Sequence, residues 1–498
     1  MTPVPAVRLL PHPLAPEAEH EAGPSRRAMD RLLDTVLRFT SADRRPLPGS
    51  TGGDSLTDHL ARYGARPRST GAAGRELLAA LEEAALTGHG GAHFPVARKW
   101  HAMLQAGGGG TIVANGAEGE PASAKDAALL HARPHLVLDG VAVAAEALGA
   151  TRAVVWLHAG DAHSRRTVCR ALAERQGASL DPVPVTVRSG PDRYLTGESS
   201  AVVRALDGGP ALPAFRRSAA ATSGIGGRGT LVANVETLAR VALIARGGAG
   251  CRPGPLVTVA GADVLTVAEL RPDLLLGHAF TLGVDRLYLA AGHRGPQAVL
   301  AGGYGGQWVP WPEAAGLPLG DLDGVHGPSL GAGVLAAIPN GACGLVETAA
   351  ILDYLARSSA QQCGPCRHGT RELADAFQRI AVGRPARRDR LAVEQLSALI
   401  RGRGACRLPD SAAQLATSAL TAFAADLEAH LRERPCRGAG AAAMLPIPGR
   451  RPSRPPTLGT RPWLPPAPSR AVDPEPTAGP PSDRAGWPVS PAGRHRGE

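Results

Sequence analysis

Residues 111–126 read TIVANGAEGEPASAKD, and the fold turns on how this stretch is taken. TIVA is a short apolar run rich in β-branched residues, the mark of a buried strand. Asn115, Gly116, Ala117, Glu118, Gly119, Glu120 and Pro121 follow it directly. Polar groups at the carboxyl end of a strand in an α/β sheet lie where ligands bind. Two buried carboxylates there would cost several kcal/mol unless each met a donor or a cation. A ribose or a nicotinamide amide is a suitable donor, and the competing reading is a solvated acidic loop. Working outward, AAGRELLAALEEAALTG (72–88) has helical apolar spacing and ends at Gly88, HLVLDGVAVAAEALGA (135–150) is a second helix, and AVVWLH (153–158) is a second buried strand. That alternation predicts a parallel, layered α/β domain.

The chain has 498 residues, length for two to four domains. Hydrophobic residues make up 44% of it but aromatics only 3%, so the predicted core is aliphatic and Ala-rich. Residues 1–70 are rich in Pro, Arg and Ser, with one amphipathic piece, RAMDRLLDTVLRF, and read as a loosely ordered extension. The α/β domain is expected over 71–250. Over 251–330, PLVTVAG, TVAEL, LYLAAG and a turn at GGYGG give short strands without long helices, hence a small β-rich domain. Four helical segments follow within 331–435 (VETAAILDYLARSSAQ, RELADAFQRIAVG, LAVEQLSALIRG and SAAQLATSALTAFAADLEAHLRER), suiting a four-helix bundle. Residues 436–498 read as a disordered Pro/Arg-rich tail.

The net charge of +10 does not mark a nucleic-acid binder. Residues 437–498 hold nine Arg against four acidic residues, so half of the excess sits in a stretch with fifteen prolines. No run of 18 apolar residues occurs, and the first residues place Pro and Glu where a signal peptide needs an apolar core, so a cytoplasmic protein with no transmembrane segment is expected. Seven scattered cysteines exclude a disulfide scaffold.

Lysine and asparagine are nearly absent. The two lysines are Lys99 and Lys125, and the asparagines are Asn115, Asn234 and Asn340. Where composition drifts away from a residue type, its survivors point to function, here to one polar site assembled from distant segments. Lys99 lies in GHGGAHFPVARKW (88–100), where Gly88, Gly90 and Gly91 let backbone N–H groups approach a phosphate or a ring. A third cysteine, Cys406 in GACRLPD, follows the pair Cys363 and Cys366 in SAQQCGPCR, a pattern of metal or redox chemistry. CGPC also spells a thioredoxin-type dithiol, but that motif opens a helix after a strand, whereas this one follows a helical run.

Taken in order with RYLTGESSAVVRALDGG (193–209) and TLVANVETLARV (230–241), these motifs resemble the NADH-oxidising flavoprotein subunit of respiratory complex I and the diaphorase subunits of NAD-linked hydrogenases and formate dehydrogenases. The resemblance spans roughly residues 56–430. It implies a layered α/β flavin-binding domain, a β-grasp domain and a C-terminal four-helix bundle. It also implies FMN, NAD(H) and a 4Fe-4S cluster as cofactors. On this chain it places Gly88, Gly90, Gly91, Lys99, Asn115, Glu118, Tyr194, Gly197, Glu198, Asn234 and Thr237 around flavin, Phe94 and Glu120 beside the nicotinamide cofactor, and Cys363, Cys366 and Cys406 on the cluster. The cofactors supply the chemistry and no side chain is expected to be catalytic itself. A redox partner, a ferredoxin-like protein or a membrane oxidoreductase subunit, would take the electrons onward.

The chain also departs from the family pattern. His89 replaces Arg, His93 and Ala97 replace Gly, Ala117 replaces Asp, Ser199 replaces Glu and Ala233 replaces Asn. Each lost buried hydrogen bond is worth about 0.5 to 1.5 kcal/mol, so these changes together predict weakened NADH affinity. Ala360 stands at the first cluster position, leaving three cysteines where a 4Fe-4S cluster normally takes four. Such a site could hold a cluster with one exchangeable iron, use His368 or a partner, or have lost it. An electron-input flavoprotein is the expected function. The rival readings are a non-catalytic binding or assembly scaffold, and a flavoprotein reduced by a partner instead of NADH.

Overall fold

The computed structural model describes residues 31–49, 52–215, 219–279, 296–324, 327–382, 387–432, 434, 436 and 444–450. Four parallel strands, β2 (Thr111–Asn115), β3 (Arg152–His158), β4 (Val185–Gly190) and β5 (Thr230–Asn234), form one sheet in the order β4-β3-β2-β5. The chain steps from β2 outward to β4 and then crosses back to β5, so the strand order reverses between β2 and β5. Ligands of open α/β sheets bind at the carboxyl ends of the strands at such a reversal. Asn115 and Asn234 are register partners there, each the last residue of its strand.

Helices spanning Pro134–Leu148 and Val235–Gly247 pack against each other, and they do so closely because Gly140 lies against the backbone of Leu238. A Cβ at Gly140 would come within 2.0 Å of the Leu238 carbonyl oxygen. Ala142, Ala144, Ala239 and Ala242 are buried in the same pair, small side chains that let the two helices approach closely.

A second, mixed sheet has six strands in the order β1-β7-β6-β10-β8-β9. Its members are β1 (Leu37–Thr40), β6 (Leu256–Ala260), β7 (Val264–Glu269), β8 (Pro296–Ala301), β9 (Gln307–Pro310) and β10 (Val334–Pro339). Strand β1 corrects the reading of residues 1–70 as a loose extension. Leu37 and Phe39 are fully buried, and β1 pairs antiparallel with β7 from Leu37↔Val267 to Thr40↔Val264. A helix over Leu56–Tyr63 follows, with a Ser55/Asp58 capping box. Residues 1–30, and the expected strand LYLAAG, lie outside the described residues.

The C-terminal helices are α1 (Gly344–Ser358), α2 (Thr370–Ala381), α3 (Arg387–Ile400), α4 (Leu408–Ala422) and α5 (Ala424–Leu431). The stretch read as one last helix is two, broken at Phe423, whose ring fills the space over Gly344 and stacks edge-on to Trp308. Of the segment expected to be a disordered tail, residues 444–450 pack: Leu445 and Ile447 are buried, and Arg450 Nη1 meets Glu347 Oε2 at 2.6 Å. Residues 451–498 lie outside the described set. No helix of the described residues is long and apolar enough to cross a membrane.

Candidate functional site

The glycine loop folds over the strand reversal. Gly88 N–H donates to the Phe94 carbonyl, His89 N–H donates to Thr237 Oγ1 at 2.9 Å, and an added Cβ on Gly90 would meet the Asn234 Cβ at 3.6 Å. Thr237 and Asn234 thus hold the loop, while Trp100, fully buried, roots the helix that follows it (Val96–Gln105). Phe94 stays exposed, with the Lys99 Nζ 5.7 Å from its ring centre. Among the described residues the Lys99 ammonium meets no carboxylate, and burial lowers its pKa.

Of the five scarce lysines and asparagines, three come together: Asn115, Lys125 and Asn234. Asn234 Nδ2 donates to Asp126 Oδ2 at 2.6 Å and, more weakly, to the Asn115 carbonyl, and Lys125 Nζ lies 3.4 Å from Asn234 Oδ1. Lys125 is buried and pairs with Asp126 at 2.7 Å and Glu236 at 3.1 Å. Burial alone would raise Glu236, but the charges of Lys125 and Arg240, with the hydrogen bond from Arg240, outweigh that and hold its carboxyl well below the usual range. Burial pushes Asp126 up against the pull of Lys125, while both of its oxygens accept, from Lys125 Nζ and Asn234 Nδ2. Burial, reinforced by Arg240, drops His89 to about 3, leaving it neutral, and its Nδ1 reaches Glu236 Oε1 at 3.2 Å. Asp126 and Glu236 went unmarked by the sequence, which singled out Lys125 by its scarcity and His89 as a departure, because a motif gives identity and not the ion-pair partner.

Several expected site residues are engaged in building the loop walls. Asn115 Nδ2 donates to the Gly197 carbonyl and its Oδ1 accepts from Ala117 N–H. Gly197 and Gly119 permit this packing: a Cβ on Gly197 would sit 2.2 Å from the Ala117 carbonyl oxygen, and one on Gly119 2.0 Å from that of Tyr194. Glu198 caps the helix Ser199–Leu206 by accepting from Ser200 and Ala201 N–H, and Asn234 caps Val235–Gly247 likewise. Glu120 is buried, with Oε1 accepting from Ala122 N–H and Oε2 from Tyr304 N–H at 2.8 Å; burial raises it to about 7. Arg44, from the stretch read as a loose extension, donates to the Glu120 and Ser123 carbonyls at 2.7 and 2.8 Å. No local pattern marks it, since the contact spans more than seventy residues of chain.

The residues present fit a flavin nucleotide. Glu118 is buried; its Oε1 accepts from Ser123 Oγ, while its Oε2 has no hydrogen-bond partner among the described residues and Arg44 Nε is 4.0 Å away. An orphaned buried acceptor, an ammonium without a carboxylate and a glycine loop over a strand reversal are what an anionic, hydrogen-bond-donating ring ligand would complete. His93, where the family has Gly, adopts φ 47° and bonds Ser329 Oγ through Nε2 at 3.0 Å, so it is turned out of the loop toward the second sheet.

The turn Tyr194–Gly197 connects this region to the cysteines. Tyr194 and Leu195 pack in one apolar cluster with Ala360, Cys363, Cys366, Cys406 and Leu408. All three are free thiols, and a hydrogen bond from Cys366, with the Leu408 N–H, lowers Cys406. Three thiols and the Ala360 methyl therefore converge, a donor set that fits a cluster held by three thiolates and falls one short of the usual four. His368 lies on the exposed side of the turn Pro365–Gly369.

A ring cradle at a strand reversal, coupled through a single turn to converging thiols, is the layout of an electron-transfer flavoprotein. Comparison with known proteins agrees. Residues 81–243 match the model of the Nuo51 FMN-binding domain, and residues 346–430 match that of the NADH-ubiquinone oxidoreductase-F iron-sulfur binding region. An NADH-quinone oxidoreductase subunit of Rhizobium meliloti is 29% identical over 72% of this chain and 90% of its own length. An NADP-reducing hydrogenase subunit of Solidesulfovibrio fructosivorans is 26% identical over 74% of this chain and 79% of its own. The crystal structure of an NAD+-reducing [NiFe]-hydrogenase in the H2-reduced state superposes with a TM-score of 0.60 at 26% identity, covering 71% of this chain and 62% of that one, less than two thirds of its length. Over these two regions the chain is similar to the flavoprotein subunits of this family.

Proposed function

We propose that this chain oxidises NADH through bound FMN and passes the electrons, by way of a cluster on Cys363, Cys366 and Cys406, to a separate redox protein. The observation that carries the reading is the Tyr194–Gly197 turn, whose residues wall the glycine-loop site on one side and the cysteine cluster on the other. In this reading the mixed sheet is the β-grasp module and α1 to α5 form the iron–sulfur bundle.

FMN, when bound, accepts a hydride from NADH and releases electrons singly. The protein's part is to bind, orient and exclude water. Gly90, Gly91 and Lys99 offer N–H groups and a positive charge to the phosphate, while Gly88, its N–H held by the Phe94 carbonyl, shapes the turn. Glu118 offers its free Oε2 as an acceptor. The Lys125–Asp126–Glu236 cluster fixes Asn234 beneath the loop, and Phe94 presents an exposed apolar ring to the dinucleotide. The three thiols lie beyond Tyr194 and Leu195, so the onward path leads through that turn. The partner is a ferredoxin-like or membrane-bound redox protein, and in the second case the chain sits at the membrane through it.

The test is an absorption spectrum of anaerobically purified protein before and after NADH, with iron and sulfide assayed on the same sample. Flavin bands bleached by NADH, with cluster iron present, are expected. A featureless spectrum unchanged by added FMN overturns the proposal.

A further inference from the structure

A second group of soft ligands lies away from the cysteines just described. Cys343, His430 and Cys436 place their ligand atoms within 4.8 Å of one another. Cys343 is the residue before α1, whereas Ala360 follows its other end. Fifteen helical residues at 1.5 Å each separate the two sets by about 22 Å. They cannot share one cluster.

The local geometry is that of a metal site. Cys343 and His430 are buried and Cys436 is half-buried. His430 Nδ1 lies 2.8 Å from the Ile380 carbonyl oxygen, which can only accept, so Nδ1 carries the proton and Nε2 presents its lone pair. That lone pair faces Cys343 Sγ at 3.8 Å. A backbone carbonyl that fixes the tautomer in this way is the usual support of a metal-bound histidine. In a tetrahedral zinc site, with Zn–S about 2.3 Å and Zn–N about 2.0–2.1 Å, the sulfur and nitrogen stand about 3.6 Å apart. Asp426, one helical turn before His430, adds negative potential at both Cys343 and His430.

We propose that Cys343, His430 and Cys436 bind a zinc ion that clamps the chain leaving α5 onto the start of α1. Two thiolates and one imidazole suit a borderline-soft divalent cation, with a water in the fourth position. The clamp gathers residues 343, 430 and 436, while Arg450 and Met444 bond Glu347 one turn into α1, so the metal and the ion pair together seat the returning segment.

The experiment measures zinc in the purified full chain for the natural sequence, for Cys436→Ser, and for a Cys363→Ser, Cys366→Ser, Cys406→Ser triple variant, with a separate sample alkylated on lysis for the mass mapping. About one zinc per chain is expected in the natural and triple-variant proteins and none in C436S. Titration of metal-stripped protein with Co2+ should give the thiolate-to-cobalt absorption of a tetrahedral site in the same two proteins only. Because Cys436 is half-buried and beyond the last helix, its serine variant keeps the fold, and an unchanged far-UV spectrum checks this. Should C436S fail that check, His430→Gln replaces it in the same comparison. Zinc that disappears with the triple variant, no zinc or cobalt binding in the natural chain, or a Cys343–Cys436 disulfide in mass mapping each overturns the proposal.

Discussion

Replacing Glu120 by Gln tests the electrostatics of the loop. Burial raises the Glu120 carboxyl from 4.5 to about 7, outweighing the Ala122 and Tyr304 N–H groups that favour its charged form. The folded state therefore holds this proton more tightly than the unfolded chain. Below pH 4.5 the group is protonated in both states and its contribution is fully present. As pH rises through 4.5 to 7 the unfolded chain releases the proton first, so stability falls across that window and the loss is complete above it. At about 1.4 kcal/mol per pH unit, the window is worth about 3 kcal/mol. Gln cannot accept from both N–H groups, so E120Q carries an offset of about 1–2 kcal/mol that does not vary with pH. The assay is urea unfolding followed by tryptophan fluorescence at pH 4.5, 5.5, 6.5 and 7.5 on cofactor-free protein. Other groups that titrate in the window, Asp126 among them, cancel in the difference between natural protein and variant. That difference should shift by about 3 kcal/mol in favour of the variant as pH rises; a constant difference refutes the buried, proton-holding Glu120.

Three further outcomes follow from the site. Ala360→Cys restores the fourth thiol beside Cys363, Cys366 and Cys406, and should raise iron per chain and slow its loss to a chelator; unchanged iron retention would mean that residue 360 does not reach the cluster. Lys99→Gln removes the ammonium that meets no carboxylate, and should weaken FMN binding about tenfold or more by fluorescence titration, with a smaller penalty for riboflavin, which lacks the phosphate. His93→Gly relieves a left-handed backbone worth about 1–2 kcal/mol but loses the Ser329 bond of about 0.5–1.5 kcal/mol, so the melting temperature should change little; a large loss would mean that the Ser329 bond outweighs the backbone relief.

Much of the α/β unit was legible because its signals are local. TIVAN and AVVWLH appear as adjacent parallel strands, whereas the helix expected to run to Gly88 ends at Glu83, and Ala85 turns the chain with φ 50°. What sequence could not supply was non-local pairing. The four residues LRFT are too short for an alternation signal, yet they form the edge strand β1 because Leu37 and Phe39 find a buried face against β7. The same limit hid Arg44 behind its distant carbonyl partners, and it hid Cys343, His430 and Cys436, whose spacing matches no compact ligand motif. Motif letters marked Asn115, Glu198 and Asn234 as flavin-lining; their roles as caps and braces are visible only in their hydrogen-bond partners.

Arg44 and β1 change where the working unit begins. Cutting the chain at residue 71, just ahead of its recognisable motifs, would strip an edge from the mixed sheet and leave two carbonyls beside Glu118 and Glu120 without their guanidinium. A fragment trimmed in that way would keep every signature residue and still present a slack, solvent-wetted acidic loop. Boundaries drawn around conspicuous letters enclose less than the machine needs, and here the missing piece arrives from the least conspicuous end.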